Sequence, residues 1–298
     1  MPFRSPLTDS FPSWTRQDVL DADAFAREFL GPARRSRRFA RGNAPPIGGR
    51  GFRTYDESVV GTDDRFQVHA RSQLPSTSLF PFNTICLVQD PSAPNGSGVL
   101  IAPQVMLTAG HVLQGFGAQT ITPGADLSAT SASDQRPATP GSQVAPTSGF
   151  RFHPSLDLGL AILPRPFTAP TRFMMLQPRG DVNTATLLTI AGYPNVGPGS
   201  APVGTMWAHS NKLRISNVSA THLTYPIDTT VGQSGSPLWL LGNDGIRLLL
   251  GIHTNGGGTA NSGVRITCEV ISWIERECTR ASVTGPVVDN VARRATCA

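Results

Sequence analysis

From Ser58 onward the apolar residues fall into short runs: Thr84–Val88, Gly98–Ile101, Val105–Ala109, Leu158–Leu163, Thr186–Ala191, Leu223–Ile227, Pro237–Leu241 and Leu248–His253. Their length and their content of β-branched residues predict strands. The Pro-Asn-Gly, Pro-Gly and Gly-Asn-Asp-Gly stretches elsewhere along the chain predict the turns that connect such strands. One window, Ile271–Glu277, reads as a closing helix. Many short strands with a single helix predict an all-β protein, built as a barrel or a sandwich. No pattern repeats at a fixed period.

Residues 1–57 break this rhythm. They hold a helical pattern near Gln17–Leu30, an arginine run (Arg34, Arg35, Arg37, Arg38, Arg41) and a Gly/Pro stretch from Asn43 to Gly51. Such a segment has little apolar surface to offset the entropy of ordering it. It is expected to be a largely disordered, removable pro-segment, followed by a folded domain over 58–298.

Charge distribution narrows the function classes. The net charge of +5 suggests an acidic partner until its position is considered, because residues 1–57 carry 10 Arg against 7 Asp and Glu. The remainder is nearly balanced, which argues against a nucleic-acid surface. No apolar run approaches the roughly 18 residues needed to cross a bilayer, so no membrane span is expected. The amino terminus, MPFRSPLTDSFPSW, also lacks the apolar core of an export signal. Cys86, Cys268, Cys278 and Cys297 fit no zinc spacing and read as disulfide candidates or buried thiols, with the pairing open.

Three segments carry candidate chemistry. Leu107-Thr108-Ala109-Gly110-His111-Val112 sets a histidine after an apolar strand and a small-residue turn, and Leu156-Asp157-Leu158-Gly159-Leu160-Ala161-Ile162-Leu163 sets an acid at the head of another. Taken singly, each is compatible with a purely structural role. The third, Gly232-Gln233-Ser234-Gly235-Ser236-Pro237, is more specific, because glycines around a serine let the backbone turn tightly and aim two N–H groups at one point. Together, in the order His, Asp, Ser, they weigh against three unrelated structural roles.

These segments resemble trypsin-like serine peptidases. Further stretches, Ile190-Ala191-Gly192-Tyr193-Pro194, Gly204-Thr205-Met206-Trp207, Asp228-Thr229, Gly251-Ile252-His253-Thr254-Asn255-Gly256 and Arg265-Ile266-Thr267, are similar to those of bacterial glutamyl endopeptidases. The resemblance implies a chymotrypsin-like pair of six-stranded antiparallel β-barrels, over about 58–170 and 171–278, with a short C-terminal helix and a tail. It implies a triad of His111, Asp157 and Ser234, with the N–H groups of Gly232 and Ser234 as oxyanion hole. It also implies a secreted enzyme acting on protein or peptide substrates, expected to be monomeric and to need neither metal nor organic cofactor.

The resemblance further implies a pocket for an acidic substrate side chain built by His253 and Thr229. An imidazole N–H and a hydroxyl can both donate to a carboxylate without burying a fixed charge. Asp228, six positions before Ser234, keeps open the alternative of a pocket for Lys or Arg. The run Ser58–Arg65 is similar to the mature amino terminus of glutamyl endopeptidases, which implies cleavage after Glu57 and a freed Ser58 amine near the pocket. The uncut chain is then expected to be latent. Val231 departs from the glycine usual beside the oxyanion loop, and no cysteine lies near His111. A protease-like binding protein without catalysis would be expected to have lost part of this constellation, and none is missing.

Overall fold

The computed structural model describes residues 59, 63, 65–68, 76–90, 96–114, 117–126, 141–178, 187–195, 204–212, 218–241, 246–257 and 260–283. The expected pro-segment, the Glu57–Ser58 junction and the end of the tail with Cys297 lie outside them. Within the described residues the chain is all-β with one long helix, as the pattern of short runs predicts.

The first sheet is formed by β2 (Ile85–Gln89), β3 (Gly96–Ala102), β4 (Val105–Thr108), β5 (Gln119–Pro123), β6 (Gln143–Ala145), β7 (Phe150–Phe152) and β8 (Gly159–Ile162). Its order is β6-β5-β2-β3-β4-β8-β7, antiparallel throughout. The second sheet contains β1 (Phe66–Val68), β10 (Leu187–Gly192), β11 (Met206–Lys212), β12 (His222–Tyr225), β13 (Pro237–Leu241), β14 (Arg247–Gly257) and β15 (Ala260–Arg265). Its order is β1-β11-β10-β13-β14-β15-β12, and the two-residue β9 (Met175–Leu176) adds a parallel pair against β14. The sheets thus hold seven and eight strand segments against the six per barrel expected. Several of the segments are only two or three residues long and lie outside the runs from which strands were expected.

The alternation of side chains along the second sheet divides them between two cores. Leu188, Ile190, Leu238, Leu240 and Leu250 point with Leu223, Tyr225 and Ile227 into a core of their own. The intervening Ala191, Trp239 and Leu249 join the larger core that also takes Leu87, Leu100, Met106 and Leu160 of the first sheet. A one-residue slip in register would exchange these two sets, so the pairing is strongly specified.

The helix is longer than the window Ile271–Glu277. A short helix, α1 (Gly110–Leu113), follows β4, and the closing helix α2 spans Cys268–Arg280. Thr267 caps α2, its side chain accepting from the Val270 N–H at 3.2 Å, a contact of about 1 kcal/mol. Val270, Ile271, Ile274 and Cys278 recur at helical spacing and bury one face against the larger core. Cys268 is disulfide-bonded, whereas Cys86 and Cys278 are buried free thiols. Burial, reinforced by Glu277 and Glu275, pushes the Cys278 thiol up to about 11, and desolvation pushes Cys86 well above the usual thiol range.

Candidate active site

Sheet register brings the predicted histidine and aspartate together. β4 and β8 run antiparallel with Thr108 opposite Gly159, so the residues just after β4 lie beside those just before β8. His111, on α1, meets Asp157 there in two contacts. The His111 backbone N–H donates to Asp157 Oδ1 at 2.9 Å, and His111 Nδ1 lies 2.7 Å from Asp157 Oδ2. With the carboxylate accepting from Nδ1–H, the ring is held as the tautomer whose Nε2 can accept a proton. Both side chains keep access to solvent, at 15% and 31% exposure.

Ser234 sits in the tight turn before β13 and is 7% exposed. Gly232 at φ +101° and Gly235 at φ +88° give the turn its shape, in a region that side chains rarely adopt. A Cβ at Gly235 would also collide with the Ser97 carbonyl oxygen and with Thr108 Oγ1. Within the turn Gln233 N–H donates to Thr230 O at 3.0 Å and Ser236 N–H to Gln233 O at 2.9 Å.

Ser97 on β3, which the sequence did not single out, ties this turn to the first sheet. Its N–H donates to Ser234 O at 2.8 Å and its hydroxyl to Gly232 O at 2.9 Å. It accepts from Tyr193 N–H on Oγ at 2.8 Å and from Thr108 Oγ1 on its carbonyl at 2.6 Å. Because Thr108 ends β4 three residues before His111, one serine connects the strand that leads to the histidine with the turn that carries Ser234.

Among the pocket candidates, His253 brackets the same turn: Gly235 N–H donates to His253 O at 2.8 Å and His253 N–H to Ser236 O at 2.9 Å. Its buried ring contacts the hydroxyl of Tyr225, another residue the sequence did not flag, at 2.5 Å through Nδ1. Thr229 is fully buried, and its hydroxyl oxygen has no hydrogen-bond partner among the described residues. Asp228 is buried as well. Its N–H donates to His209 Nδ1 at 2.8 Å, while its carboxylate stands 3.8 Å from the same nitrogen. The shorter contact decides the tautomer, since a nitrogen that accepts the N–H carries no proton for the carboxylate. Val231 is 54% exposed. Ser58, the remaining pocket candidate, lies outside the described residues.

A cleft of about 630 Å³ opens beside Asp157, between Phe152, Leu156 and Asp157 on the first-sheet side and His222, Thr254 and Asn255 on the second. Its lining holds Asp157 and none of His111, Ser234, Thr229 and His253. Among the described residues no helix is long and apolar enough to cross a membrane.

Comparison with known proteins bears on the fold and the family. The model of the trypsin-like peptidase domain matches residues 96–245, half of the chain, taking in the His111, Asp157 and Ser234 segments. A solved structure of a Glu endopeptidase in complex with MPD superposes with a TM-score of 0.59 at 22% identity, covering 73% of this chain and 98% of that one. A glutamyl endopeptidase of Bacillus licheniformis is 29% identical over 228 residues, 72% of this chain and 67% of the relative. An extracellular metalloprotease of Bacillus subtilis is 26% identical over 228 residues, 73% of this chain and 69% of the relative. Fold and site define a serine peptidase of the chymotrypsin-like architecture. The chain belongs to the trypsin-like peptidase family.

Proposed function

We propose that this serine peptidase is an endopeptidase that cuts after glutamate or aspartate, with His111, Asp157 and Ser234 as its triad. Ser234 Oγ attacks the scissile carbonyl and passes its proton to His111 Nε2. Asp157 holds the ring in orientation and stabilises the imidazolium that forms. His111 then protonates the leaving amine, and a water deprotonated by the same histidine releases the acyl-enzyme. The N–H groups of Gly232 and Ser234 stabilise the oxyanion, and loss of one such donor costs about 3–4 kcal/mol of transition-state stabilisation.

The observation that carries the acidic specificity is the buried, unpartnered Thr229 hydroxyl five residues before Ser234. A buried hydroxyl without a partner is costly, and a substrate carboxylate would satisfy it. With the Tyr225 hydroxyl as donor to His253 Nδ1, the ring's proton lies on Nε2, a second donor. The similarity to a glutamyl endopeptidase supports the same reading. We further infer a secreted precursor cleaved after Glu57, with the Ser58 amine completing the pocket. The similarity to an extracellular metalloprotease of Bacillus subtilis supports export.

Digestion of an unfolded protein by the processed chain, with the cut bonds mapped by mass spectrometry, tests the proposal against a Ser234→Ala control. Cuts after Glu that vanish in the control are expected. Cuts after Lys or Arg would transfer the specificity to Asp228, and an absence of cuts would overturn the catalytic reading.

A further inference from the structure

The turn that carries Ser234 is held from a third direction, by a side chain near the start of the folded region. Arg65 immediately precedes β1, whose pairing with β11 sets Phe66 opposite Ala208, Gln67 opposite Trp207 and Val68 opposite Met206. That register lays the segment along the edge of the second sheet and delivers Arg65 to the turn. Its Nη1 donates to Thr230 Oγ1 at 2.7 Å and to Gln233 Oε1 at 3.0 Å. Its other edge is taken up by Asp63, which accepts from Nε at 2.9 Å and from Nη2 at 2.8 Å. The Arg65 side chain is only 2% exposed.

Gln233 is the residue before Ser234, and it is fully buried. Its Oε1 accepts from Arg65 and, at 3.1 Å, from the Thr230 N–H, whereas its Nε2 is buried without a partner among the described residues. Among the described residues the side chain is therefore oriented from its oxygen end, and Arg65 supplies one of the two bonds that do so. Burying a guanidinium, even against a carboxylate, is weak evidence of a contribution to stability. Its use lies in what it fixes. A planar fork that grips Asp63 on one edge and two loop residues on the other sets direction as well as distance.

We propose that Arg65 is a positioning residue for the oxyanion turn: through Thr230 and Gln233 it aims the N–H groups of Gly232 and Ser234 at the reacting carbonyl. The proposal rests on the assignment of Ser234 as nucleophile. It couples the segment following the Glu57–Ser58 junction to catalysis through a side chain, independently of any role of the Ser58 amine in the specificity pocket.

The test compares processed wild type with Arg65→Ala, Arg65→Lys and Asp63→Asn. The readouts are kcat and KM on a glutamyl peptide, the rate of Ser234 labelling by a small fluorophosphonate, and the melting temperature. Displacing a catalytic donor by an ångström costs about a hundredfold, so Arg65→Ala is expected to lose about that much in kcat and in labelling rate, with little change in KM. Added guanidinium ion, at concentrations that leave the wild type unaffected, is expected to restore at least part of the loss. Lysine, a point donor without the fork, is expected to rescue poorly, and Asp63→Asn to show a smaller loss of the same kind. Should Arg65→Ala fail to fold, the kcat of Asp63→Asn decides. Wild-type kcat in Arg65→Ala, or a loss that follows the unfolded fraction and ignores guanidinium, overturns the proposal. A wild type that neither labels nor cleaves overturns the catalytic reading itself, and this proposal with it.

Discussion

The two sheets serve the candidate site in different ways. The first contributes His111 and Asp157 through a single strand register, and the pair stays partly open to water. The second contributes the Ser234 turn, which is nearly closed to solvent and is bonded to β3 through Ser97, to β14 through His253 and to the segment before β1 through Arg65. In the first sheet chemistry and stability are separable. In the second they rest on the same bonds.

The largest expected effects expose that difference directly. His111→Ala is expected to reduce kcat by roughly 10⁶-fold, as removal of a triad base does elsewhere. The same change, at a side chain that keeps 15% exposure and stands outside the bonds of the Ser234 turn, is expected to alter stability by about 1 kcal/mol. Gly235→Ala should remove activity for another reason. It forces a side chain into a φ of +88° and against the Ser97 carbonyl, so a loss of about 4 kcal/mol or more is expected, read as a fall in melting temperature. Equal melting temperatures for the two variants would break the comparison.

How much of this could be read from the sequence follows the same division. His111, Asp157 and Ser234 each stand in a short local pattern, and eight of the strands coincide with apolar runs. β11 and β15 escaped notice because their segments, MWAHSNK and ANSGVR, are mostly polar and join the sheet through backbone pairing. Arg65 and Ser97 escaped for a different reason. Arg65 meets Gln233 across 168 residues and Ser97 meets Gly232 across 135, and no local pattern encodes such a contact. Arg65 does lie in the run Ser58–Arg65 that resembles a mature amino terminus, but the run shows only that the arginine is there. The window Ile271–Glu277 is short at both ends: Val270 and Cys278 continue its apolar spacing on either side, and the cap at Thr267 lies further out still.

Thr229→Val sharpens the comparison by separating signs. The substitution preserves shape and removes a buried hydroxyl that has no partner, so stability is expected to stay level or to rise by about 1 kcal/mol. If the hydroxyl receives the substrate carboxylate, kcat/KM for a glutamyl peptide should fall about tenfold, the equivalent of about 1.4 kcal/mol, while a peptide without the acidic side chain is affected less. A variant that is stabilised and keeps its preference for Glu would remove Thr229 from the pocket.

The smallest effect is expected on the first-sheet side, where His153 holds the loop that leads into Asp157. His153 Nδ1 accepts from the N–H groups of Ser155 and Leu156 at 3.3 and 3.2 Å, and its ring meets Trp273 edge-on at 5.1 Å. Burial lowers its pKa below 6.5, opposed by nearby Glu269 and assisted by Arg276. Folding therefore favours the neutral ring. Its contribution is complete above the unfolded value and is lost as pH falls through that value toward the folded one, because the unfolded chain takes up the proton first. One group can add at most about 1.4 kcal/mol per pH unit to the slope of stability against pH. Melting temperatures of wild type and His153→Asn between pH 7.5 and 5 should converge as the pH falls. Parallel curves would show that the ring does not hold this loop as a neutral acceptor, and the acid half of the site would then depend on strand register alone.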